Sequence, residues 1–240
     1  TPTLALVVER ESAIENFKKQ KFYTVELDCG FRAVSDRFDQ RKDADKLCAA
    51  CEGQPLTVTA VEQTKKTARP PKLYDLTTLQ RDGNRLFGYT AQQVLDYAQA
   101  LYEKKLLTYP RTDSNYLTED MADGIPTLAE QSAKLLPFAP PYAITDVGRV
   151  VDSSKVSDHH ALLPTMQVTE DALASLPAGE RNVLTLVMVR LLCAIGKIHQ
   201  YEDTAVRLEQ DGVVFTANGR TVIEPGWRAT EKAFLSTLKQ

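Results

Sequence analysis

The feature that most restricts the fold of this chain is a hydrophobic period that changes twice. The first seventy residues carry strand-like runs, Phe22-Tyr23-Thr24-Val25-Glu26-Leu27, Phe31-Arg32-Ala33-Val34 and Leu56-Thr57-Val58-Thr59-Ala60-Val61, rich in β-branched and aromatic residues. After the Pro70-Pro71 pair the apolar residues recur at helical spacing: Leu79, Gly83, Leu86 and Phe87, then Val94, Ala98, Leu101 and Tyr102. From Tyr201 the strand pattern returns. Strands at both ends of a helical stretch predict an α+β protein, with a helical domain of helix-turn-helix character inserted into a two-segment, mainly antiparallel β domain. The predicted segments are 1–72, 73–198 and 199–240.

Local signals fill in this outline. Ser12-Ala13-Ile14-Glu15 has capping-box spacing and predicts that a short helix opens there. Residues 43–52 read as a helix closed by Gly53, and Thr90-Ala91-Gln92-Gln93 as a second capping box after a break at Gly88. Helices are also expected over 118–136 and over 178–195, the latter apolar on nearly every side and so central to its domain. Strands at 204–208, 213–216 and 220–223, separated by Asp211-Gly212 and Asn218-Gly219, predict a three-stranded meander with tight turns.

Composition bounds the function more loosely. With 43% hydrophobic and 25% charged residues, the chain reads as an ordinary soluble domain rather than a disordered one. The longest apolar run, 183–195, holds Thr185 and Arg190 and is too short to cross a bilayer, and no signal peptide opens the chain. A cytoplasmic protein is expected. The net charge of −3 argues against coating DNA nonspecifically, yet residues 64–115 hold nine Lys/Arg against five Asp/Glu. That surplus leads into Tyr109, although part of it fits a solvated basic linker equally well. Cys48 and Cys51 lack the further ligands a zinc site needs and are read as buried helix thiols. Asp43-Ala44-Asp45 follows Gln40-Arg41-Lys42 rather than an apolar strand, so its carboxylates are read as facing the helix dipole and water.

Chemistry concentrates in Leu107-Thr108-Tyr109-Pro110-Arg111-Thr112-Asp113-Ser114, just past the second predicted helix. A phenol, with an ordinary pKa of about 10, is a weak nucleophile at neutral pH, and a phosphorus centre under attack needs positive charge beside it. A guanidinium two residues away supplies such charge without titrating. Taken alone, the triplet also fits a half-buried tyrosine beside a solvated cation.

Three further segments accompany it: Thr1-Pro2-Thr3-Leu4-Ala5-Leu6-Val7-Val8-Glu9-Arg10, Leu76-Thr77-Thr78-Leu79-Gln80 and Ser157-Asp158-His159-His160-Ala161-Leu162-Leu163-Pro164-Thr165. With the tyrosine motif, and in this order, they resemble the type IA DNA topoisomerases, the topoisomerase III branch most closely. The resemblance spans nearly the whole chain. It implies a helical nucleophile domain inserted into a β domain of a gated ring. It further implies that Tyr109 attacks one DNA strand to give a 5′-phosphotyrosine and a free 3′-hydroxyl, without ATP. By the motif match Arg111 contacts the scissile phosphate and His159 is the histidine of the active region. Thr112, Asp113 and Ser114 position the loop on DNA, and His160 supports it. Thr78 and Gln80 are set against the DNA backbone or a neighbouring domain.

The resemblance also implies what this sequence does not contain. Thr1 stands inside a motif that the family begins upstream, so the chain is expected to be an excised piece without the Toprim domain that binds Mg²⁺. No metal ligand is assigned within it, and alone it is expected to be inactive. Single-stranded DNA and the remaining domains of the same polypeptide are the expected partners, with no membrane. Two rivals stay open: a non-catalytic helix-turn-helix DNA-binding module, and a tyrosine-recombinase-like strand transferase, which forms the opposite, 3′ link.

Overall fold

The structure, a computed structural model, describes residues 1–140, 146–210 and 212–239. By its contacts the chain forms two units, one of Thr1–Thr64 with Asp203–Thr221, the other of Lys65–Glu202 with the residues from Val222 on.

The first unit opens with α1, Pro2–Glu15. Thr1 caps it through a hydroxyl that accepts from the Leu4 N–H, and Pro2 suits the first turn, where no amide hydrogen is needed. Ser12 therefore lies in the last turn of this helix and does not open one. The Thr1-Pro2 signal comes first, and Asn16 ends the helix by donating its side-chain amide to the Ser12 carbonyl. No residue of α1 is buried.

Strands β1, Glu26–Asp28, and β2, Arg32–Ser35, form an antiparallel hairpin with Leu27 opposite Ala33 and Gly30 at a positive φ in the turn. Helix α2, Arg41–Cys51, buries Ala44 and Cys51, which lie seven residues apart on one face. Cys48 is exposed, so the expectation of buried thiols holds at Cys51 only. Three long strands follow: β3, Thr57–Ala68, β4, His199–Gln210, and β5, Val213–Glu224. They join the hairpin in a five-stranded antiparallel sheet of order β1-β2-β5-β4-β3. Val25, Ala33, Leu208, Phe215 and Ala217 close a small core with α2.

The expected third strand of the meander is absent as a separate element. Strand β5 runs unbroken through Asn218 and Gly219, and Gly219 has no positive φ. A tight turn would have folded β5 back on itself, whereas β2 and β4 already flank it on either side. The other predicted turn includes Asp211, which lies outside the described residues; its neighbour Gly212 has a φ of +78°.

The second unit is helical. Helix α3, Leu76–Phe87, starts at a capping box between Asp75 and Thr78 and stops at Gly88 in the left-handed region, and α4, Ala91–Glu103, starts at the predicted box of Thr90 and Gln93. Gly83 lets the two approach closely, for a Cβ there would lie 2.7 Å from a Val94 methyl. The helix expected over 118–136 divides into a 3₁₀ turn, Glu119–Gly124, and α5, Ile125–Leu135. Pro126 is the reason, since its ring is tolerated in a first turn and not in a helix interior.

A short α6, Glu170–Ser175, leads into α7, Ala178–Ala194, which is buried along almost its whole length and touches α3, α4 and α5. A further helix, α8, Trp227–Thr237, was not expected from the sequence pattern. It packs Trp227 and Phe234 into the α7 core, and the Trp227 indole donates to the Ala68 carbonyl. That packing groups residues from 222 on with the helical unit, where the sequence reading assigned all of 199–240 to the β-rich part. No helix among the described residues is long and apolar enough to cross a membrane.

Candidate active site

The end of α4 sets up the tyrosine loop. Lys105 takes a left-handed conformation, φ +61°, where glycine is usual, while the Leu106 N–H donates back to the Leu101 carbonyl and the Lys105 N–H to that of Tyr102. Such a turn costs a non-glycine residue about 1 kcal/mol. Bonds from a distant segment offset it: the Thr165 hydroxyl donates to the Lys105 carbonyl at 2.6 Å, and the Thr165 N–H to that of Leu106.

Beyond the turn the chain is sewn to the same segment. The Thr108 N–H donates to the Leu163 carbonyl, the Leu163 N–H donates to the Thr108 hydroxyl, and Leu107 forms an antiparallel bridge with Pro164. The two motifs singled out in the sequence, around Tyr109 and around His159, are thus hydrogen-bonded neighbours. Side-chain hydroxyls take part in two of these four bonds, Thr165 as donor and Thr108 as acceptor, which suits a segment whose Pro164 has no N–H to give.

Tyr109 itself is half-buried, between two rings. Tyr102 meets it edge to face at 5.4 Å between centroids, and the His159 imidazole lies 4.4 Å from it at an interplanar angle of 43°. His159 is exposed, as is Arg111, which has no ion-pair partner among the described residues. Its guanidinium is therefore available to an anion arriving from solvent.

The rest of the loop is held from beneath. Thr112 is buried; its hydroxyl donates to the His159 carbonyl at 2.9 Å and accepts from the Ser114 N–H, and its carbonyl accepts from the Leu76 N–H at the start of α3. Ser114 is also buried and donates its hydroxyl to the Lys155 carbonyl, and the Asn115 amide donates to the Asp75 carboxylate. Next to this attachment, Asp152 accepts from Lys155 and Ser154, and those hydrogen bonds hold its carboxyl below the ordinary range.

Of the remaining positions marked in the sequence, Asp113 is exposed. Thr78 is engaged in the α3 capping box, and the Gln80 amide donates to the Ala91 carbonyl, bracing α3 against the start of α4. His160 places its Nδ1 2.7 Å from the Ala161 carbonyl oxygen and lines an open groove with Tyr102, Lys105, Tyr109, Thr165 and Gln167. Sequence reasoning placed Tyr102 on the apolar face of α4, yet it is exposed and packs on the candidate nucleophile. Lys105 has no sequence signal at all, because nothing in a Lys-Lys pair announces a left-handed residue.

No group of three or more His, Cys, Asp or Glu side chains among the described residues is arranged to hold a metal ion. Asp43 lies in the first turn of α2, and Asp45 pairs with Arg41 at 3.4 Å.

Residues 1–237 match a family described as DNA topoisomerase. The chain belongs to that family. It is 36% identical to DNA topoisomerase 3 of Bacillus licheniformis and 35% identical to DNA topoisomerase 3 of Bacillus subtilis, each match covering 95% of this chain and 33% of the relative. The chain thus spans about a third of the length of these relatives. Among solved structures, full-length topoisomerase I from Thermotoga maritima is similar with a TM-score of 0.71 and 25% identity, over 96% of this chain and 39% of that one. The match places this topoisomerase chain in the type IA group, on the topoisomerase III branch.

Proposed function

We propose that this chain is the nucleophile-bearing part of an enzyme that cuts and rejoins one strand of DNA through Tyr109. The Tyr109 oxygen forms a bond to phosphorus, the bond from phosphorus to the 3′ oxygen breaks, the phenolic proton leaves to solvent, and the departing 3′ oxygen takes up a proton from solvent. The product is a 5′-phosphotyrosine with a free 3′-hydroxyl. Reversal reseals the strand with no external energy, because the phosphotyrosine conserves that of the broken bond. Arg111 faces the charge that builds on the phosphate, and Thr112 and Ser114 keep the loop in register from beneath. His159 fixes the phenol ring by contact. Asp113 lies in the same loop and His160 lines the groove beside Tyr109; Thr78 and Gln80 on α3 are assigned to the DNA backbone beyond it, and single-stranded DNA is the substrate.

The observation that carries this reading is the placement of Tyr109 against His159 in a loop whose one unpaired cation is Arg111 among the described residues. Mg²⁺ belongs, by the family resemblance, to a Toprim domain outside this sequence. Among the described residues no group of three or more His, Cys, Asp or Glu side chains is arranged to hold such an ion, and Asp45 is paired with Arg41, so no step is routed through a metal here.

Adduct chemistry tests the proposal. In the full-length polypeptide, single-stranded DNA labelled at either side of the cut should leave its 5′ phosphate on the protein. A 3′ link would instead indicate recombinase-like transfer, and no adduct at all a binding module.

A further inference from the structure

On the helical unit a second concave site lies outside the tyrosine loop, lined by Thr78, Arg81, Asp82, Arg85 and Arg190. The four α3 residues recur at spacings of three and four and so share one helix face, and Arg190 reaches the same pocket from α7. Three guanidinium groups meet a single carboxylate. Asp82 is fully engaged: one oxygen accepts from Arg85 through Nε and Nη2, the other from Arg190 and from the Tyr74 hydroxyl. A carboxylate offers about four acceptor positions, so none remains for Arg81.

Arg81 is exposed and has no ion-pair partner among the described residues. Glu231, an acid that lines the adjoining cleft, pairs with Arg228. The pocket therefore keeps a surplus of two positive charges and unmatched guanidinium N–H groups. Its arginines are not all free to wander, because Asp82 fixes Arg85 and Arg190, and Arg190 also stacks over the Tyr74 ring at 4.1 Å. Fixed guanidinium forks beside an unpaired one suit a tetrahedral oxyanion, and phosphate above all.

We infer that this pocket binds a backbone phosphate of the DNA strand, several nucleotides away from the phosphate attacked by Tyr109. The inference rests on the DNA reading of the tyrosine site. The two places are mechanically joined, for the Thr112 carbonyl holds the Leu76 N–H and Asn115 holds Asp75, both at the start of α3. From Leu76 to Arg85 the helix rises about 14 Å at 1.5 Å per residue. A strand seated at Arg111 and running along α3 thus meets Arg81 and Arg85 further on.

The test uses the full-length polypeptide carrying Tyr109→Phe, so that binding is read without cleavage, and a labelled single-stranded oligonucleotide titrated over a range of salt. Arg81→Ala should weaken binding, and Arg81→Ala with Arg85→Ala should weaken it further. The salt slope should fall by about 0.7 for each phosphate that is no longer neutralised. In the Tyr109 background the same pair should lower adduct yield at limiting DNA and leave the yield at saturating DNA unchanged. Arg81 is exposed, so its single variant keeps the test independent of folding. Unchanged affinity and slope in both variants overturn the inference, as does a loss of inorganic phosphate binding with DNA binding intact, which would assign the pocket to free phosphate. Either result leaves the tyrosine reading standing, whereas an adduct that survives Tyr109→Phe would remove that reading instead.

Discussion

The two units of this topoisomerase chain are stabilised in different ways. In the helical unit α7 is buried on all sides, and the tyrosine loop is tied by hydrogen bonds to α3, to residues 162–165 and to Lys155. In the β-rich unit a handful of residues around Phe215 close a small core with α2, and α1 buries none of its residues. The candidate chemistry is carried by the first kind of structure. A nucleophile that must meet a phosphate in line gains from a rigid support, since small displacements are costly to rate.

The sharpest test of this contrast is at the rigid site. In the full-length enzyme Tyr109→Phe should abolish the covalent adduct while circular dichroism and DNA affinity stay near wild type, because only one hydroxyl is removed. A residual adduct would move the nucleophile elsewhere. Arg111→Ala and His159→Ala should each slow cleavage by about ten- to a thousandfold, the range for removal of a charge-stabilising donor. If single-turnover cleavage is unchanged in both, the loop has been read wrongly.

Stability should separate the units in the 240-residue chain itself. Leu191→Ala, at a fully buried position of α7, should cost about 3 kcal/mol by denaturant unfolding. Asp82→Asn should cost about 2 kcal/mol, since it leaves the half-buried Arg190 without its countercharge. Burial opposes the charged form of Asp82, but hydrogen bonds from Tyr74 and Arg85 and the charge of Arg190 outweigh it, so its carboxyl titrates below the ordinary value. With the folded pKa depressed, this contribution is complete above the unfolded value of about 3.9 and is lost as the pH falls through the folded one. The difference between wild type and Asp82→Asn should therefore be flat at neutral pH and shrink below about pH 4. At the other extreme, Leu6→Ser on α1 should change stability by less than about 0.5 kcal/mol. A cost as large as that of Leu191→Ala would erase the contrast between the units.

The sequence by itself determined the elements whose signals are local. The capping box at Thr90, the break at Gly88, the apolar run of α7 and the alternation within the strands all act over a few residues, through backbone hydrogen bonds and side-chain period, and each is readable in a short window. The motifs around Tyr109 and His159 were legible in the same way, as strings. Where a local signal had two physical meanings, the sequence reading failed. Ser12-x-x-Glu15 is a cap only if no earlier residue starts the helix, and Asn218-Gly219 is a turn only if the strand has no partners on both sides.

Tertiary structure alone decided the rest, because the energies involved come from groups far apart in the chain. It brought the His159 ring to Tyr109 through bonds between 105–108 and 162–165, and stabilised Lys105 in a conformation its own side chain disfavours. It turned Tyr102 from a core residue into a wall of the site and packed α8 against α7. It also gathered Arg81, Arg85 and Arg190 around one carboxylate. No periodicity encodes such meetings: a ring contact or a shared carboxylate depends on where two segments cross, and that is set by the packing of whole helices rather than by the residues beside each one.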